Sequence, residues 1–184
     1  LYRRPSSFAP RTRLVVTEQT SNLGGGAIWP LEQLADVAKT AQDLGLSVHM
    51  DGARALNASV ATGIDLATYA DHHDSAWLAF TKGLGCPVGA VLAGSRDFIE
   101  HAWHFKRMFG GAMRQTGVLT AMCLHALDHH VNRLDEDHAR AKRIETRLGG
   151  CELFCQVYPV ETNIVLAEID PRFGISASEL KTFL

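Results

Sequence analysis

The sequence predicts an α/β fold with a mostly parallel sheet and flanking helices, and three observations carry that prediction. Residues 13–18 (Arg-Leu-Val-Val-Thr-Glu) form a β-branched run. After a stretch of apolar residues at helical spacing comes a second short apolar run at 46–50. This is a strand-helix-strand unit, whose crossover is expected to be right-handed. Two strand-like runs then deliver a polar residue to a glycine-containing turn: Asp51, followed by Gly52, and Lys82, followed by Gly83. In open parallel sheets ligands bind beyond the carboxyl ends of the strands, so Asp51 and Lys82 are expected on one edge.

The remaining elements follow in order. Residues 1–10 read as an irregular lead-in containing Arg3, Arg4 and Pro5. A Gly-rich loop at 21–26 follows the first strand, and Pro30 occupies an expected N1 position. Leu31, Leu34, Val37, Ala38 and Ala41 then mark a helix that ends near Gly45. Residues 55–62 predict a short helix stopped by Gly63, and 64–69 another. Residues 75–80 predict the strand that leads to Lys82, and 88–93 a further strand. The link between those two is too short for a parallel crossover, so they are expected to be antiparallel. Ser95 is placed to cap a helix broken by Gly110 and Gly111. A helical pattern over 115–148 is longer than usual and is expected to bend or break near His129 and His130. Strands are expected at 153–158 and 163–168, then a loop at 170–174. A final helix begins around Glu179, capped by Ser176 or Ser178.

Composition bounds the function. The chain has 184 residues, 46% apolar and 21% charged, which suits a globular protein with a real core. A net charge of −2 with interspersed signs gives no electrostatic footprint for nucleic acid or an anionic membrane. No apolar run is long enough to span a bilayer, and the arginine- and proline-containing start lacks the apolar segment of a signal peptide. The four cysteines show no CxxC spacing. Reduced thiols in a cytoplasmic protein are expected.

A lysine and a carboxylate on one sheet edge suit pyridoxal 5'-phosphate, which needs an amine for its aldehyde and an acid against its pyridine nitrogen. Arg54 lies three residues after Asp51, near enough to fork onto a carboxylate or phosphate. Gly83 and Gly85 let the backbone pass close to a bulky group. Taken singly, an Asp-Gly or a Lys-Gly is an ordinary turn. The combination favours the functional reading.

Four runs also resemble a known family: residues 49–58 (His-Met-Asp-Gly-Ala-Arg-Ala-Leu-Asn-Ala), 81–95 (beginning Thr-Lys-Gly-Leu-Gly-Cys-Pro-Val-Gly), 109–117 (Phe-Gly-Gly-Ala-Met-Arg-Gln-Thr-Gly) and 134–142 (Leu-Asp-Glu-Asp-His-Ala-Arg-Ala-Lys). In this order they are similar to the low-specificity L-threonine aldolases, of the β-eliminating lyase group of fold-type I pyridoxal phosphate enzymes. A fifth motif at 18–22 matches imperfectly, because Ser21 stands where relatives often have His. The resemblance implies part of a large cofactor-binding α/β domain over 1–120, then a linking helix and part of a small α+β domain over 121–184. It implies that Lys82 bonds the cofactor, that Asp51 pairs with the pyridinium nitrogen and that Arg54 holds the substrate carboxylate. It implies that Arg114, with Arg107, reaches the cofactor phosphate of a neighbouring subunit in a homo-oligomer, a dimer or tetramer. The implied reaction is retro-aldol cleavage of L-threonine or L-allo-threonine to glycine and an aldehyde. The alternatives are a related β-eliminating lyase, a phenylserine aldolase, or an inactive remnant. Relatives carry further segments before the point matching Leu1 and after Leu184, so the resemblance also implies a truncated fragment.

Other clusters read as structural. His125 with His129, His101 with His104, and Cys151 with Cys155 lack the third and fourth convergent ligands a metal needs. Ser21 is in no Gly-x-Ser-x-Gly elbow, and the Gly24-Gly25-Gly26 run is no P-loop. Acidic and basic residues from 135 to 143 read as a solvated helix face.

Overall fold

A computed structural model describes residues 7–183; the Arg3, Arg4 and Pro5 part of the lead-in, and Leu184, lie outside the described residues. The main sheet has four strands in the order β1 (Leu14–Glu18), β2 (Ser47–Gly52), β3 (Ser75–Ala79) and β4 (Ala90–Gly94). The first three are parallel, with Glu18 opposite Asp51 and Asp51 opposite Trp77. The fourth is antiparallel to β3, as its short connection requires.

Helix α1 (Leu31–Asp43) connects β1 to β2 and buries Leu34, Ala38 and Ala41, the i, i+4, i+7 face that the sequence spacing marks. Pro30 is its N-cap, one position earlier than expected, and Gly45 takes a left-handed φ of 65° just beyond its end. β2 runs two residues further than expected, so Asp51 and Gly52 are still paired strand residues. Helix α2 (Ala55–Thr62) then turns at Gly63, and α3 (Leu66–Ala70) is capped by Asp65. One core cluster joins Leu34, Met50, Ala55, Ala58, Tyr69 and Ala76. It holds α1, α2 and α3 against the sheet beneath Asp51.

Helix α4 (Arg96–Met108) is capped by Ser95, whose Oγ accepts from the Phe98 amide at 3.2 Å. The long helical pattern breaks where the paired histidines predict, giving α5 (Gly117–His129) and α6 (Leu134–Gly149). A second, two-stranded antiparallel sheet joins β5 (Phe154–Val157) to β6 (Ala167–Ile169). The strand expected at 163–168 is shorter and lies later: only Ala167 and Glu168 of that run are strand, which continues to Ile169, because residues 160–166 are taken by other contacts. Thr162 Oγ1 donates to Gly26 O at 2.8 Å, and Glu161 accepts from the Ile28 amide at 2.9 Å. The expected 170–174 loop contains a short 3-10 turn, Pro171–Phe173. Helix α7 (Ala177–Phe183) starts two residues early. Ser176 and Glu179 cap it reciprocally: the Ser176 hydroxyl accepts from the Glu179 amide at 3.2 Å and the Glu179 carboxylate accepts from the Ser176 amide at 2.7 Å.

Candidate active site

The carboxyl ends of the parallel strands β1, β2 and β3 form one edge. Asp51 is the penultimate residue of β2, half-buried between its two parallel neighbours. Its backbone carbonyl accepts from the Gln19 amide at 2.8 Å, and its Oδ1 accepts from the Ala53 amide at 3.1 Å. The carboxylate is therefore oriented by its own turn, with the second oxygen left for another donor. Gly52 has a steric reason to be glycine: a Cβ there would collide with the Trp77 carbonyl of β3.

Arg54 caps α2, and its amide donates to Gln19 O at 3.2 Å. Its guanidinium donates to Asn22 Oδ1 at 3.1 Å. Asn22 in turn is anchored through its amide to Glu18 Oε1 at 3.1 Å. The residues after β1 thus aim Arg54 across the edge, and most of its five N–H donors remain for a further anion.

Lys82 lies three residues past the end of β3, exposed, on a turn fixed from four sides. Gly85 N donates to Lys82 O at 2.9 Å, Cys86 N to Phe80 O at 3.0 Å, and Phe80 N to Gly89 O at 3.0 Å. His130 Nδ1 lies 2.7 Å from Leu84 O. Phe80, Leu84, Cys86 and Ala126 form a core cluster beneath the turn. Burial pushes the Cys86 thiol pKa up, and neighbouring Cys123 adds to the effect.

The structure brings Asp51, Arg54 and Lys82 to one edge. Among the described residues no hydrogen bond or ion pair joins Arg107 or Arg114 to Asp51, Arg54 or Lys82. Arg107 is exposed near the end of α4, 5.9 Å from the Trp103 ring, and Arg114 is exposed beyond it. Among the described residues no group of three or more His, Cys, Asp or Glu side chains could hold a metal ion. An apolar groove of about 500 Å³ between β1 and α1 is lined by Leu14, Val16, Val37 and Leu44; it lies off the strand ends and carries little chemistry.

Sequence reasoning missed Thr20. It is fully buried, its hydroxyl has no hydrogen-bond partner, and it follows Gln19, whose backbone bonds both Asp51 and Arg54. An orphaned buried hydroxyl next in sequence to the residue bonded to Asp51, with an exposed lysine and an arginine at the strand ends, is a donor set that fits pyridoxal phosphate. No sequence period marks such a residue; only the satisfied neighbours around it do.

These features define an α/β chain of the fold-type I class, the fold of pyridoxal phosphate transferases and lyases. The chain belongs to the beta-eliminating lyase family, whose sequence model matches residues 1–171. It is 38% identical over 169 residues to the low specificity L-threonine aldolase of Escherichia coli K12, covering 92% of this chain and 49% of that protein. It is 37% identical over 177 residues to low-specificity L-threonine aldolase 1 of Arabidopsis thaliana, covering 96% and 49%. The Leishmania major threonine aldolase structure shares the fold with a TM-score of 0.72 at 20% identity, over 89% of this chain and 48% of that one. The chain spans about half the length of the curated relatives it matches. No helix among the described residues is long and apolar enough to cross a membrane.

Proposed function

We propose that the protein carrying this sequence is a pyridoxal phosphate-dependent lyase that cleaves L-threonine and L-allo-threonine to glycine and an aldehyde by retro-aldol chemistry. One observation carries the reading: an acid, an arginine and a lysine sit at the carboxyl ends of neighbouring parallel strands, each on a segment fixed by backbone hydrogen bonds. When bound, the cofactor supplies the electron sink for the bond broken at Cα.

The chain's own residues do the rest. Lys82 Nζ is the amine that bonds the cofactor aldehyde, and its pinned turn keeps it at the strand edge. Asp51 offers its second carboxylate oxygen to the pyridine N–H. Arg54 binds the substrate carboxylate through the donors that Asn22 leaves free. A carboxylate held this way fixes rotation about the substrate Cα. The Cα–Cβ bond is then the one aligned for cleavage, in preference to removal of the Cα proton. Arg107 and Arg114 reach the cofactor phosphate of a neighbouring copy in a homo-oligomer, a dimer or tetramer. Their exposure supports this role, as do Trp103, Phe105, Met108 and Phe109, apolar side chains left exposed around them. Residues 1–120 act as part of the large cofactor-binding unit, and 121–184 as the linking helix and part of a smaller one. Four free thiols suit a reducing, cytoplasmic setting.

The visible spectrum tests the proposal. Added pyridoxal phosphate gives a band between roughly 400 and 430 nm that borohydride removes and Lys82→Ala lacks. Glycine and acetaldehyde then appear from L-threonine. A folded protein with no band refutes the assignment of Lys82, and a band without aldehyde release moves the reaction to another lyase of the class.

A further inference from the structure

The motif at 134–142 has no part in the site just described, yet its helix packs directly behind it. Leu134, 1% exposed, closes on the Lys82 turn: a Cβ at Gly83 would lie 2.6 Å from its Cδ2. The same Cβ would lie 3.8 Å from the amide of Asn57, a buried residue on α2 three positions after Arg54. Asn57 Nδ2 is 3.1 Å from Nε2 of His138, one turn along α6 from Leu134. In this arrangement the amide donates and the imidazole accepts, so the ring is neutral with its proton on Nδ1.

We propose that His138 is a positioning residue: through Asn57 it clamps the start of α2, which carries Arg54, against the Gly83 turn, which carries Lys82. The two site residues lie on separate segments that no hydrogen bond among the described residues joins directly. The Leu134–Gly83 contact and the His138–Asn57 bond, both from α6, span the gap between them. Buried Asn57 has to satisfy its amide, and α6 is the element that does so. Burial holds the His138 pKa below the usual histidine range, against an opposing pull from Asp135 and Asp137 on its own helix. Over Ala55–Thr62, α2 contributes no ionisable side chain; the Gly83 turn contributes Lys82 and Cys86, and β5 contributes Cys155.

The role in substrate handling rests on the proposed lyase reading, but the clamp itself does not, so it is measured without cofactor. Hydrogen exchange by mass spectrometry compares the parent with His138→Leu and His138→Gln. Loss of the acceptor in His138→Leu is expected to lower protection about tenfold in two separated segments, residues 52–62 and 80–89, and to leave α1 and β1 unchanged. His138→Gln, which keeps an acceptor near the Nε2 position, is expected to restore both. Uniform loss across the chain, or loss in one segment alone, overturns the proposal.

Asn57→Asp gives an independent reading if the leucine variant does not fold. Its carboxylate can only accept, so it needs an Nε2–H donor, which neutral His138 supplies only by changing tautomer and the imidazolium supplies as a stronger, charge-assisted bond. Protection of both segments is then expected to be higher at pH 5.5 than at pH 8, the reverse of the parent; the parental order overturns the proposal. In the loaded enzyme His138→Leu is expected to lower kcat about 10- to 100-fold through misplacement of Lys82 and Arg54, with His138→Gln near parental. Local exchange changes in a protein that binds no cofactor would sustain the clamp and remove only the lyase reading.

Discussion

Replacing Gly52 with alanine is the sharpest single perturbation of the site's scaffold. At a compatible position Gly→Ala stabilises by about 0.4–1 kcal/mol, because the unfolded chain loses freedom. Gly52 has no left-handed φ, so its backbone alone would permit alanine. The obstacle is the Trp77 carbonyl of β3, which lies inside the space of a new Cβ. That atom is backbone in a paired strand and has no rotamer to escape into. Moving it means separating β2 from β3 between Asp51 and Leu78, where the ladder ends at the site. Overpacking of this kind costs about 1–3 kcal/mol, which outweighs the unfolded-state gain. A net cost of about 1–2 kcal/mol remains, and for a chain of this size each kcal/mol lowers Tm by about 2–4 °C, so a fall of about 2–8 °C is expected by circular dichroism, with weaker cofactor binding. A Gly52→Ala protein with unchanged Tm and an unchanged absorbance band would refute the claim that strand contact sets this residue.

Further predictions follow from the same contacts. Leu134→Ala removes a fully buried side chain between α6 and the Lys82 turn and is expected to cost about 3 kcal/mol in urea unfolding. Ser95→Ala deletes the α4 cap and is expected to cost about 1 kcal/mol by the same measurement. His73 bridges Thr17 Oγ1 at 2.8 Å and Tyr69 O at 3.0 Å, and burial, reinforced by His72 and His49, lowers its pKa against the opposing pull of the Tyr69 and Ala70 backbone. A histidine depressed in the folded state takes up its proton more readily when unfolded. Its contribution is therefore complete above the unfolded value near 6.5 and declines as pH falls below it. The Tm should fall between pH 7 and 5.5, and His73→Gln should flatten that slope. Titration with a thiol reagent should label exposed Cys151 and Cys155 first and buried Cys86 last, only on unfolding.

Much of this chain is determined by local sequence. The β-branched run of β1, the spacing of Leu34, Ala38 and Ala41, the Ser95 cap and the break at His129 and His130 are consequences of local propensity, period, cap chemistry and helix length. The strand-end positions of Asp51 and Lys82 are legible for the same reason: an apolar run that stops at a glycine turn has to put its next polar residue at a sheet edge. Tertiary structure alone decided the remainder. Residues 163–166 have strand-like composition but follow Thr162 and Glu161 onto the Gly-rich loop, a contact across more than 130 positions that no local period encodes. The orphaned Thr20 hydroxyl, the glycines at 52 and 83, and the His138–Asn57 bond acquire meaning only from what the fold sets against them. Periodicity fixes which way a side chain faces; which atom it meets there depends on packing between segments far apart in the chain.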